Sequence, residues 1–264
     1  MTRRRWTALG AAAALVGLLV ALALVLPDGG PAPDAGPSAP PAAAPTPADT
    51  AEPDAPVADP AADQAAIDEA FALIVRRDPD DPLAMGAVDA PVVMAMWADF
   101  RCGYCARHAL ETAPGLAELV AAGTLRIEWH DFAVVTEESP AIAAAARAAG
   151  RQGRFWEFHD RVFADHATRP VMDDAYLREI AADLGLDLAA FDADRASPEV
   201  LAAVEADGAL GARLGVTGTP AFIINGVGVP GAQPLEVFEA VVRDELARAT
   251  AAADADAADD AGDA

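Results

Sequence analysis

Cys102-Gly103-Tyr104-Cys105 constrains this chain more than any other stretch. These are the only two cysteines in 264 residues. An apolar run, Val92-Val93-Met94-Ala95-Met96-Trp97, precedes them, and a segment of helical periodicity follows. A strand that turns into a helix carrying such a pair on its first turn reads as a redox motif. The physical reason is local. A helix N-terminus offers unpaired backbone N–H groups and the positive end of the dipole, and both favour a thiolate over a thiol. Arg101 and Arg107 flank the pair and are expected to push the same way. In this reading Cys102 is the attacking nucleophile. Cys105, one turn in, is the resolving thiol that closes the disulfide and frees a bound partner.

Three plainer readings compete. A zinc site needs about four ligands, usually a second Cys or His pair at close spacing; no third cysteine exists, and His108, His130, His159 and His166 do not pair around the motif. A structural disulfide across so short a loop removes little entropy from the unfolded chain. Two unrelated buried cysteines at this spacing would be a coincidence. No metal and no cofactor are therefore expected.

Charge narrows the partners. Arginine supplies all 18 basic residues against 42 acidic ones, a net charge of −24. So acidic a chain is a poor match for nucleic acid or an anionic lipid surface.

Residues 1–26 read as a signal anchor. Arg3-Arg4-Arg5 precede an uncharged apolar run from Ala8 to Leu26, long enough as a helix to cross a hydrocarbon core. The cleavage site of a removable signal is poorly formed at Leu26-Pro27-Asp28, although a cleaved, secreted form is the alternative. The arginines ahead of the run put the remainder outside the plasma membrane, as a single-pass protein held through residues 8–26. Residues 27–66 carry eleven prolines among Ala and Asp and read as a disordered linker, too poor in large apolar side chains to fold.

The globular part is expected over 67–248. Ile67, Phe71, Ile74 and Val75 recur at helical spacing. Residues 80–91 read as loop and 92–98 as a strand. A helix follows the cysteines, with a kink at Pro114, and Gly123 ends it. Thr124 to His130 then alternates like a half-buried strand, which completes a strand–helix–strand unit with parallel pairing. From about 137 to 214 the pattern is helical throughout and reads as an insert. Ala221–Ile224 and Val227–Val229 flank Asn225-Gly226, a strong hairpin signal. A last helix carries Leu235, Phe238, Val241, Val242 and Leu246, and residues 249–264 read as a disordered acidic tail.

At this point the residues resemble the DsbA-like branch of thioredoxin-fold proteins. Trp97-Ala98-Asp99-Phe100-Arg101-Cys102-Gly103-Tyr104-Cys105 is similar to the family's active-site segment. Phe155-Trp156-Glu157-Phe158-His159-Asp160 is similar to a recurring helix of its insert. Gly218-Thr219-Pro220-Ala221-Phe222-Ile223-Ile224-Asn225-Gly226 carries the third likeness. The resemblance implies an α/β thioredoxin fold split by a helical insert, with catalytic Cys102 and Cys105 and an active-site loop of Gly103 and Tyr104. It also implies a cis Thr219–Pro220 bond beside the cysteines, where Thr219 and Pro220 bind an extended substrate strand.

Two departures stand out. Relatives often carry a buried acid six positions before the first cysteine, as a proton relay, and this chain has Met96. Asp99 is expected at the strand's end, facing solvent, and His108 on a solvated helix face. The Gly-Tyr dipeptide is closer to disulfide isomerases than to strong oxidases. The function expected is a membrane-tethered extracytoplasmic thiol–disulfide oxidoreductase that forms disulfides in secreted or cell-envelope proteins with cysteines. A membrane redox partner would recycle its disulfide. The alternatives are a reductase or isomerase serving a dedicated partner, and a non-catalytic tethered binding module or chaperone with a static disulfide.

Overall fold

A computed structural model describes residues 60–262. The first helix, α1 (Pro60–Ala72), is followed by a two-residue strand β1 (Ala84–Met85) and the central strand β2 (Val92–Ala98). Next come α2 (Gly103–Arg107), a π-helical turn over His108–Thr112, α3 (Ala113–Ala121) and β3 (Leu125–Asp131). Five helices follow: α4 (Ser139–Gly150), α5 (Phe155–Asp165), α6 (Asp174–Asp183), α7 (Leu188–Arg195) and α8 (Pro198–Arg213). The hairpin β4 (Ala221–Ile224) and β5 (Val227–Pro230) and a long helix α9 (Leu235–Gly262) complete the chain.

The sheet order is β1-β3-β2-β4-β5. β2 and β3 run parallel, in register from Val92 opposite Leu125 to Ala98 opposite Asp131. β4 lies antiparallel to β2, with Met94 opposite Ile224. Helices cover both faces, so all seven β2 residues are buried, and the strand reads as one continuous apolar run. Met94, Met96 and Ala98 face the main core with Trp129, Phe155 and Phe163. Val93, Ala95 and Trp97 face the other side with Phe71, Ile74 and Phe132. α8 crosses close over Trp97, where a Cβ on Gly211 would lie 2.7 Å from the indole ring.

Four expectations need correction. β3 is buried on both faces rather than half-buried, because its polar side chains are neutralised in place. Glu128 takes Arg126 Nε at 2.8 Å and the backbone N–H groups of Arg76 and Arg77 at 2.7 and 2.9 Å. Burial pushes its carboxyl up, and these donors outweigh it and hold the pKa below the ordinary value. Residues 80–91 are not all loop, since β1 pairs with β3 through Ala84 opposite Glu128. The linker does not reach 66, because α1 starts at Pro60. The acidic tail is not irregular either, since α9 continues through it to Gly262; alanine has the highest helix propensity of any residue. The hairpin is as expected, and its turn residues Asn225 and Gly226 both have positive φ, 45° and 91°. Asn225 Oδ1 accepts from Val93 N at 2.9 Å and its Nδ2 donates to Pro91 O at 3.0 Å, tying the turn to the start of β2.

The expected anchor and nearly all of the expected linker lie outside the described residues. Among those described, no helix is long and apolar enough to cross a membrane.

Candidate active site

Parallel pairing with β3 and antiparallel pairing with β4 bring β2 and the residues before β4 to one end of the sheet, and the cysteines sit there. Cys102 is the N-cap of α2, in extended conformation at φ −82° and ψ 120°. Its N–H donates to Asp99 O at 3.0 Å and its carbonyl accepts from Ala106 N at 3.0 Å. Both cysteines are free thiols, 8% and 3% exposed.

The Cys102 thiol donates to the carbonyl oxygen of Thr219 at 3.2 Å, across 117 residues of sequence. The Thr219–Pro220 peptide bond is cis, and Pro220 joins Cys105 and Met96 around a small cavity beneath the helix. An open groove of about 520 Å3 runs alongside, walled by Leu214, Thr217, Thr219, Pro220, Val229 and Pro230. The structure thus brings together Cys102, Cys105, Thr219 and Pro220. Gly103 is exposed at the start of α2, and Tyr104, 62% exposed, stacks under the Arg107 guanidinium, 5.2 Å from its ring centre.

The two thiols are tuned in opposite directions. A hydrogen bond from Cys105 lowers the Cys102 pKa most; burial opposes it, and the Thr219 side chain and the N–H groups of Cys105 and Tyr104 add to the lowering, to about 5. Burial, then the adjacent Cys102, pushes the Cys105 thiol well above the ordinary range. This is the division expected of a nucleophile and a resolving thiol held in reserve.

The flanking arginines do not take the part expected of them. Arg101 donates to the carbonyls of Arg169 and Pro170 and lies 3.4 Å from Glu138. Arg107 donates to the Ala232 carbonyl. Each is committed to holding a loop against the site, and the Cys102 thiolate depends on hydrogen bonds within its own turn and from Thr219.

Asp99 does not face solvent. It is 1% exposed and accepts four hydrogen bonds. Oδ1 takes Arg101 N at 2.7 Å and Ser139 Oγ at 2.9 Å, and Oδ2 takes the N–H groups of Val134 and Val135 at 2.8 Å each. The active-site loop is thereby tied to the start of the insert, which folds over the strand's end and shuts water out. His108 is not solvated either. It is buried between Phe222 and Phe238, with ring centres at 4.6 and 5.2 Å. Burial, then the nearby His159, lowers its pKa to about 4. His166, from the loop after α5, approaches the carbonyl of Arg101 at 3.3 Å. Sequence reasoning passed over His159 and His166 because their spacing from the cysteines carries no signal; the one hint was His159 within the Phe155–Asp160 likeness. Among the described residues no group of acidic, His and Cys side chains is arranged to hold a metal.

A protein-family model described as Thioredoxin matches residues 78–244. Among curated proteins, a Na(+)/H(+) antiporter NhaA 1 from Salinispora arenicola is 36% identical over 182 residues, 66% of this chain and 26% of its own length. The chain thus spans about a quarter of the first curated relatives it matches. A probable disulfide bond formation protein D from Bacillus cereus is 26% identical over 54% of this chain and 69% of its own length. Among solved structures, alpha-DsbA1 from Wolbachia pipientis superposes with a TM-score of 0.61 at 22% identity, over 68% of this chain and 97% of that one. That likeness shows the fold.

Proposed function

The chain belongs to the thioredoxin family, with the DsbA-like arrangement of a helical insert, and from that premise we propose that it is a thiol–disulfide oxidoreductase exchanging disulfides with client proteins through Cys102 and Cys105. The observation that carries this reading is the geometry of the pair: Cys102 caps the N-terminus of α2 with its sulfur 3.2 Å from the carbonyl oxygen of Thr219, next to the cis Thr219–Pro220 bond, and Cys105 lies one turn behind it. The lowered pKa of Cys102 and the raised one of Cys105 agree with it.

In the oxidising direction a client thiolate attacks Cys102 Sγ of the enzyme disulfide. The bond to Cys105 breaks, and a mixed disulfide forms at Cys102. A second client thiolate then displaces Cys102, which leaves as a stabilised thiolate. The groove beside Thr219 and Pro220 is where an extended client segment would lie, next to the sulfur it reacts with. A reduced form stabilised by hydrogen bonds to its thiolate makes the disulfide a stronger oxidant, and this favours the oxidase direction over the reductase and isomerase readings.

Disulfides persist outside the cytoplasm. The apolar run Ala8–Leu26 behind Arg3-Arg4-Arg5 and the proline-rich segment after it support a domain tethered to the outer face of the plasma membrane. There it would act on secreted or envelope proteins and be recycled by a membrane redox partner. A relative in which the matching stretch is 26% of a sodium/proton antiporter supports a place beside a membrane.

The test is trapping. Cys105→Ser should accumulate mixed disulfides at Cys102 with a cysteine-containing peptide presented as its disulfide, and Cys102→Ser should accumulate none. Equal trapping by both variants, or by neither, would leave only the binding module. Equilibration with glutathione then gives the direction, a potential near that of thioredoxin, about −270 mV, excluding the oxidase.

A further inference from the structure

The active-site turn and the insert meet at Asp99, and all three of its oxygens are engaged there. Its carbonyl takes Cys102 N at 3.0 Å and its Oδ1 takes Arg101 N at 2.7 Å. Backbone and side chain thus close the same four-residue turn, in the manner of an Asx turn. The other contacts lead away from the turn. Oδ1 also takes the Ser139 hydroxyl at 2.9 Å, on the first residue of α4. Oδ2 takes Val134 N and Val135 N at 2.8 Å each. A second tie runs beside this one. Arg101 donates to the carbonyls of Arg169 and Pro170 at 3.3 and 2.8 Å, and His166 Nε2 meets Arg101 O at 3.3 Å. Two segments from the insert side therefore grip the turn ahead of Cys102.

That turn aims the nucleophile. Cys102 leaves it at φ −82° and ψ 120°, and its carbonyl already accepts from Ala106 N at 3.0 Å. The residue is thus fixed on one side by Asp99 and on the other by the first turn of α2. This placement brings its sulfur within 3.2 Å of Thr219 O, 117 residues away in sequence. The Cys102 thiolate is favoured by Cys105, Thr219 and the N–H groups of Cys105 and Tyr104, and hydrogen bonds of this kind weaken steeply as distance and angle depart from the optimum. The Asp99 charge is not among those influences.

We propose that Asp99 is a positioning residue for disulfide exchange: by tying the turn ahead of Cys102 to the insert, it holds the sulfur where its thiolate is stabilised, and so sets how oxidising the Cys102–Cys105 disulfide is. The proposal deepens the exchange reading above and rests on it. Without the carboxylate the turn keeps only the backbone bond from Cys102 N to residue 99, which any side chain there allows. The sulfur then loses part of its hydrogen bonding, and the reduced form becomes less stable relative to the disulfide.

The experiment equilibrates the full chain with glutathione and glutathione disulfide. Two glutathione thiols reduce the Cys102–Cys105 bond and become one glutathione disulfide, so two electrons pass to the protein sulfurs and the ratio at balance gives the constant. A residue that only supports the fold destabilises both redox forms alike and leaves this constant unchanged. Asp99→Asn keeps the size of the side chain but turns one oxygen into a donor facing other donors. It should move the constant about tenfold towards the protein disulfide, or about 30 mV. The midpoint of Cys102 ionisation, read as thiolate absorbance, should rise with it from about 5. Were the carboxylate acting through its charge, Asn would move both readouts the other way. That result overturns the proposal, and so does an unchanged constant. If Asp99→Asn does not fold, Ser139→Ala decides. It keeps the carboxylate and removes its hold on α4, and should move the constant in the same direction by about threefold; no movement in that variant overturns the positioning role. A wild-type protein that does not exchange with glutathione would instead overturn the exchange reading itself.

Discussion

At neutral pH the Cys102 sulfur, its pKa lowered to about 5, is a thiolate, while Cys105 one turn away keeps its proton. This has a consequence for stability. Unfolding returns Cys102 to its ordinary value of 9.0, so the folded reduced form gains stability from this group as pH rises from about 5 towards 9. The gain is fully present above the unfolded value and is lost as pH falls through the folded one. The oxidised form has no thiol to titrate. The melting temperature of the reduced form minus that of the oxidised form should therefore rise between about pH 5 and pH 8, and a flat difference would rule out the thiolate. Asp99 matters at the same scale. Asp99→Ala leaves the N–H groups of Arg101 and Val135 and the Ser139 hydroxyl without their acceptor, while Val134 N keeps the Phe132 carbonyl, and should cost about 3 kcal/mol in urea unfolding. The Cys102–Cys105 turn at a helix start was legible as a short local pattern, whereas the place of Thr219-Pro220 beside it was reached only through the family resemblance. Asp99 and His108 were misplaced, because nothing local says that the insert closes over one and the β4–α9 layer over the other.

Elements were legible where one period dominated. β2 stood out as an unbroken apolar run, the Asn225-Gly226 hairpin by its turn residues, and the insert by its helical stripes. β3 alternates as though half-buried, yet Arg126, Glu128 and His130 are covered by the chain after α1 and by α8. His130 lies 3.3 Å from Asp207, and Arg147 pairs with both Asp131 and Asp207. Such partners come from distant segments, and a strand's own sequence does not announce them. The crossing of α8 over β2 rests on one missing side chain. Gly211→Ala would press a methyl group against Trp97 at 2.7 Å and against Phe132 at 3.1 Å. Overpacking of this kind should cost about 1–3 kcal/mol, read as a lower urea midpoint with an unchanged slope.

For the whole molecule, the thioredoxin core and its insert were accessible from the order of motifs along the chain, and the ends were not. α9 runs on past the core through a tail of Ala and Asp, where local propensity alone supports the helix. The proposed tether belongs to residues outside those described, and it predicts fractionation. Full-length protein should sediment with membranes and resist extraction by salt and carbonate, whereas a chain starting at Pro60 should be released. Release of both forms by salt alone would mean that residues 8–26 do not span. A net charge of −24 makes electrostatic adhesion to an anionic bilayer a poor substitute for such an anchor.

The turn at Asn225-Gly226 also bears on how this protein ages. An asparagine followed by glycine is prone to cyclise, because the glycine N–H can attack the side-chain amide and release ammonia. In the folded chain that amide is held at both ends, by Val93 N on its oxygen and by Pro91 O under its nitrogen. It therefore cannot swing onto the Gly226 nitrogen until the hairpin lifts away from β2. Isoaspartate at this site should therefore form more slowly in the folded protein than in the urea-unfolded chain, at a rate set by how often the hairpin opens.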